Sequence, residues 1–168
     1  MTGLTGQFDL AWALADLHLS ALTEDDFLWE PAPLVWTVRP DADGRWRPDW
    51  AETEPDPIPV PTIGWLSWHL TWWWSVASAH LAGDAPPDRE DILWRGPEAV
   101  VAELRRLADE WRTLLTNLSM ADLQSPAPFP WPPEAGRSVE DMALWAHVEL
   151  TKNVAEIGML RLLRAAGR

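Results

Sequence analysis

One stretch limits what this chain can fold into: Pro61 to Gly83, PTIGWLSWHLTWWWSVASAHLAG. Thr62 can cap the start of a helix, Gly83 can end it, and no proline intervenes. The spacing predicts a helix of about five or six turns. Successive residues turn by about 100°, so Trp65, Trp68, Trp72, Trp73 and Trp74 cannot share one face. The helix therefore needs cover on several sides. Trp72, Trp73 and Trp74 alone span about 200° of its circumference, more than one core face accepts. That surplus is expected to be covered by residues 27–61 or by a second subunit, which favours a homodimer. His69 lies mid-helix, with Trp73 and His80 on its stripe, so any chemistry of this helix starts at His69.

The rest of the chain offers three more helices. In residues 5–22, Phe8, Leu10, Leu14, Leu17 and Ala21 are expected near one face, with Thr23 to Asp26 as a stop. From Phe27 to Pro61 prolines exclude long helices, yet Trp29, Trp36, Trp46 and Trp50 predict a segment that lies on the apolar helix. A polar crossover, Asp84 to Leu93, leads to Gly96-Pro97-Glu98, where proline opens a helix bearing Val100, Leu104, Leu107, Trp111, Leu114 and Leu118. Ser119 to Gly136 is a second irregular connection. Ser138 to Asp141 resembles a capping box opening a last helix to about Arg164, with Met142, Trp145, Val148, Ile157 and Leu160 apolar. Four helices with long first and third connections imply an all-α four-helix bundle, read as one domain over residues 1–168.

Composition narrows the function classes. Acidic residues outnumber basic ones by 26 to 13, and a net charge of −13 disfavours nucleic acid as a partner. No cysteine is present, which removes thiolate metal sites and cysteine nucleophiles and suits a cytoplasmic protein. The N-terminal stretch lacks the basic start and cleavage site of an export signal. The apolar run from Val60 to Leu81 holds two histidines, serines and threonines without basic anchors, so it reads as a buried helix rather than a membrane span.

Few residues can carry chemistry. A histidine on an apolar face is more often a satisfied core residue than a ligand, and His18 is read that way. His80 lies about 16 Å along the axis from His69, too far to share an ion. His147 is turned by about 200° from Glu149. Glu149, Lys152, Asn153 and Glu156 form a polar stripe at spacings of three and four. Spacing alone leaves two readings: a solvated face with a Lys152–Glu156 pair, or an inward stripe facing His69. Bundle cores, where facing helices assemble metal and cofactor sites, favour the second. There is no glycine-rich phosphate loop, nucleophile elbow or HExxH.

Three segments, LVWTVRP, TIGWLSWHL and ELTKNVAEIGMLRLL, in this order and spacing, resemble the DinB/YfiT-like superfamily of four-helix bundles. The resemblance covers most of the chain. It implies a divalent metal, zinc or nickel, held by His69 and by two positions four residues apart, here Lys152 and Glu156. Lys152 stands where the family usually has histidine. The implied pocket is lined by Trp36, Arg39, Trp73, Glu149, Lys152 and Asn153. The implied activity is that of a transferase or isomerase using a low-molecular-weight thiol (mycothiol, bacillithiol or glutathione), or a degenerate relative of one. The alternatives are a bundle that binds a small molecule without turnover and a structural homodimer. His69, Lys152 and Glu156 are expected to surround one polar pocket, with weak metal binding or none because of the lysine charge.

Overall fold

The structure, a computed structural model, describes residues 3–167 and is mostly helical. Four long helices account for this: α1 (Gly3–Leu19), α3 (Ile63–Ala82), α4 (Pro97–Asn117) and α6 (Val139–Ala165). Two short ones, α2 (Glu24–Phe27) and α5 (Met120–Gln124), sit in the connections. α1 packs on α6 and α4, and α3 packs on the same two, so the long helices surround a shared core of Phe8, Leu66, Trp74, Leu104, Trp111 and Leu150.

Local chemistry sets the helix ends. Thr62 accepts from the Trp65 amide at 3.2 Å, and Gly83 ends α3 in the left-handed region at φ 78°, which glycine adopts without strain. Ser138 and Asp141 form a reciprocal capping box at the start of α6. The same device appears twice where the sequence reads as stop or irregular chain: Thr23 with Asp26 opens α2, and Ser119 with Asp122 opens α5.

Residues 27–61 lie on α3, as their tryptophans predict, and carry four short strands that the prolines conceal. β1 (Val35–Trp36) pairs in parallel with β4 (Val60–Pro61), and β2 (Val38–Pro40) pairs antiparallel with β3 (Trp46–Pro48). A buried indole needs a partner for its N–H, and the connections supply carbonyls. Trp65 donates to the Asp49 carbonyl at 2.8 Å and Trp68 to the Ile92 carbonyl at 2.7 Å. Trp50 stands edge-on to both Trp68 and Trp72. Trp73 and Trp74 are buried in the core, so the surplus on α3 is covered from within the chain.

α1 corrects one expectation. Phe8 is fully buried, but Leu10, Leu14 and Leu17 point to solvent; the inward stripe is Leu4, Phe8, Ala11, Ala15 and Leu19. The helix carries two apolar stripes, and the one with alanines faces in, where close approach to α6 requires small side chains. Gly158 of α6 shows how close: a Cβ there would lie 2.7 Å from His18 Nε2. Two positions on other helices also differ: Val148 on α6 is exposed, and on α4 Leu115 is buried while Leu114 is only partly so.

Candidate functional site

His69 sits in the middle of α3, on the face turned to α6. Its ring stacks on Trp65 (centroids 4.9 Å apart, 11° between planes), which stacks in turn on Trp36 at 5.1 Å. Trp72 closes another side, edge-on at 5.9 Å. Across from these rings, Asn153 of α6 is fully buried.

The bonds around Asn153 determine the state of His69. Asn153 Nδ2 donates to Glu156 Oε2 at 3.1 Å, and Trp73 Nε1 donates to Asn153 Oδ1 at 3.4 Å. A carboxylate only accepts and an indole N–H only donates, so these two partners fix the orientation of the amide. Asn153 Oδ1 also faces His69 Nδ1 at 3.4 Å. The ring must then carry its proton on Nδ1, which leaves the Nε2 lone pair unused by this network. Burial lowers the His69 pKa from 6.5 to about 4; the Asn153 bond opposes that fall and the Lys152 ammonium adds to it. The ring is neutral near neutral pH.

The rim of the site is ionic. Lys152 Nζ lies 3.8 Å from both Glu149 Oε2 and Glu156 Oε1. With two carboxylates against one ammonium, its local balance is negative. Charge therefore tilts the rim toward a neutral or cationic ligand group rather than the anionic substrate a lone lysine would favour.

A family model described as the DinB superfamily matches residues 7–157. The chain belongs to the DinB superfamily. A solved structure described as the conserved protein of a locus from Enterococcus faecalis shares the fold, with a TM-score of 0.66 over 97% of both chains at 13% identity. No curated protein matches the sequence.

For a DinB-superfamily chain, the donor set is the feature to test. A catalytic zinc site needs three protein ligands and an open position. Among the described residues no three His, Cys, Asp or Glu side chains converge. At the expected place there is one imidazole, one carboxylate already bonded to Asn153, and an ammonium group near that carboxylate. These residues do not fit a tightly held divalent ion.

The remaining residues divide cleanly. His69, Trp73, Asn153 and Glu156 form one connected group, Glu149 joins it through Lys152, and Trp36 joins it through Trp65. Arg39 is engaged elsewhere, with Asp49 at 3.4 Å and Glu30 at 3.7 Å. Trp65 was missed as a wall of the site, although its place four residues before His69 carries the signal. A cavity of about 580 Å³ opens on a different side of α3, toward α4, lined by Trp68, Thr71, Ser75, Trp94 and Arg106. His147 is remote from His69 chemistry: it accepts from Trp111 Nε1 at 3.2 Å and meets Gln7 Oε1 at 3.0 Å. Among the described residues no helix is long and apolar enough to cross a membrane.

Proposed function

We propose that this chain is a cytoplasmic DinB-type four-helix bundle that binds a small molecule at His69 without a resident metal. In this reading it is a degenerate relative of the superfamily's thiol-dependent transferases and isomerases. The observation that carries it is the bonding of His69: Asn153 holds the proton on Nδ1 and leaves Nε2 as an acceptor beside a wall of indoles. An acceptor of this kind recognises an N–H, O–H or S–H group on a ligand. The indoles take the ligand's apolar part, and the Glu149–Lys152–Glu156 rim takes a polar or cationic part. A neutral low-molecular-weight thiol of the mycothiol type meets this description, whereas the carboxylates of bacillithiol would meet the negative rim.

The transferase reading retains one specific support. A histidine whose Nδ1–H is held by a carbonyl presents Nε2 as metal-binding histidines do. Zinc or nickel could then enter if Lys152 were replaced by an imidazole.

Metal content and ligand-induced stabilisation separate the two. Tag-free protein dialysed against zinc or nickel should retain far less than one equivalent, while a thiol ligand raises its melting temperature in a manner that His69→Ala abolishes. Lys152→His should gain a zinc or nickel site. Tight stoichiometric metal in the wild type would overturn the metal-free reading, and no gain in Lys152→His would overturn the reading that a ligand at position 152, on the rim of the site, can share an ion with His69.

A further inference from the structure

α1 and α6 lie side by side and run parallel, because Gln7 meets His147 and His18 meets Gly158 at the same sequence offset. On the outer side of this pair, α1 presents Leu10, Ala13, Leu14 and Leu17, and α6 presents Leu144, Val148, Thr151, Ala155, Met159 and Leu162, all exposed. Leu10 is 68% exposed, Leu17 64% and Val148 61%. The spacing on α6 follows turns of three and four residues, so these side chains form a stripe along the helix. The equal offset places the α1 leucines level with the middle of that stripe.

None of these ten residues is charged, in a chain of net charge −13. The two acidic residues of α1 are turned away from this face: Asp9 pairs with Arg112 at 2.8 Å and Asp16 with Arg105 at 2.9 Å, both toward α4. Lys152 borders the stripe one turn from Val148, but its ammonium leans away from it to Glu149 and Glu156, on the flank toward α3.

We infer that this face is the interface of a symmetric homodimer, in which α1 and α6 of one copy pack on α1 and α6 of another. Area selects a second copy as the occupant, and charge selects the face it uses. Seven large side chains at roughly 100 Å² each expose about 700 Å², above the patch of about 300–600 Å² usual on a monomer and close to the roughly 800 Å² per partner of a standard interface. Two copies this acidic repel one another, and that repulsion is least when they meet across a face without charge. A basic partner would be drawn to the acidic surface instead. The pairing also differs from the one the tryptophans of α3 suggested, since those are covered within the chain.

Sedimentation velocity of the full chain across a concentration series should give twice the 19.0 kDa mass of one chain. Leu10→Glu and Val148→Glu place buried charges across the symmetric interface and should weaken the dimer by roughly a hundredfold or more, with helical circular dichroism unchanged. Met120→Glu, on an exposed leucine-sized side chain of α5, should leave it intact. The natural chain has no cysteine, so Leu14→Cys can report independently: oxidation should yield a covalent dimer, whereas Met120→Cys should not. A monomer at all concentrations, or a dimer indifferent to Leu10→Glu and Val148→Glu, would overturn the inference. A monomer that instead floats with phosphatidylcholine vesicles would assign the face to a membrane surface and overturn it equally.

Discussion

His69 and His147 make an instructive pair. His147 is buried and His69 partly buried between long helices, and desolvation lowers each pKa from 6.5 to about 4. Their surroundings differ. His147 has a partner on each ring nitrogen, Trp111 on Nε2 and Gln7 on Nδ1, at 3.2 and 3.0 Å, and is 1% exposed. His69 has one long bond, to Asn153 at 3.4 Å, and its network ends on the half-exposed Lys152. A perturbed pKa therefore does not distinguish a structural histidine from a candidate ligand-binding one. The unused nitrogen, and the route from it to solvent, does.

The largest expected effect falls on the sealed side. Trp111→Ala removes a fully buried indole and the donor to His147 together, and should destabilise the protein by about 4 kcal/mol in urea unfolding. A loss below about 2 kcal/mol would mean that the pocket around His147 relaxes, and the contrast with His69 would weaken.

Acid titration comes next. The unfolded histidine titrates near 6.5 and native His147 near 4, so between these values the unfolded chain binds more protons. The stabilising contribution is complete above pH 6.5 and is lost as pH falls toward 4; for His147 it amounts to roughly 3 kcal/mol at about 1.36 kcal/mol per unit. His147→Gln keeps an acceptor and a donor but cannot titrate. Its stability between pH 4 and 6.5 should follow pH with a slope shallower by about one proton. Parallel pH curves for the two proteins would show that His147 is not held neutral by burial.

Trp36→Ala sharpens the other side of the pair. Trp36 is partly buried and stacks on Trp65, the wall behind His69, so its loss should cost about 2 kcal/mol and reduce ligand-induced stabilisation as well. An unchanged melting temperature would make residues 27–61 a dispensable cover.

The smallest effect on stability is expected at the rim. Lys152→Met breaks two partly exposed pairs 3.8 Å long and should change folding stability by no more than about 0.5 kcal/mol. Ligand binding should nevertheless change, since the rim becomes more negative. Equal binding by wild type and variant would place the ligand away from Lys152.

What the sequence alone determined is what one or two turns of chain decide. Thr62 and Gly83 bound α3, Ser138 and Asp141 open α6, and Pro97 opens α4, because a cap is made by neighbours within a few residues. The need of α3 for cover on several sides was legible for a similar reason: no single face can hold five tryptophans at 100° per residue. The prolines of residues 27–61 hid short strands whose partners lie up to twenty-five residues apart, as Val35 and Val60 do. Tertiary structure decided what depends on neighbours distant in sequence. On α1 the leucine stripe and the stripe of Phe8, Ala11 and Ala15 are both apolar by periodicity. Only the closeness of α6, seen where His18 lies against Gly158, turns the small residues inward and leaves the leucines outside. At the site, Lys152, Asn153 and Glu156 share one stripe in the sequence. The rotation of α6 against α3 brings Asn153 rather than Lys152 to His69, and a hydrogen bond across two helices depends on that rotation to within a few degrees.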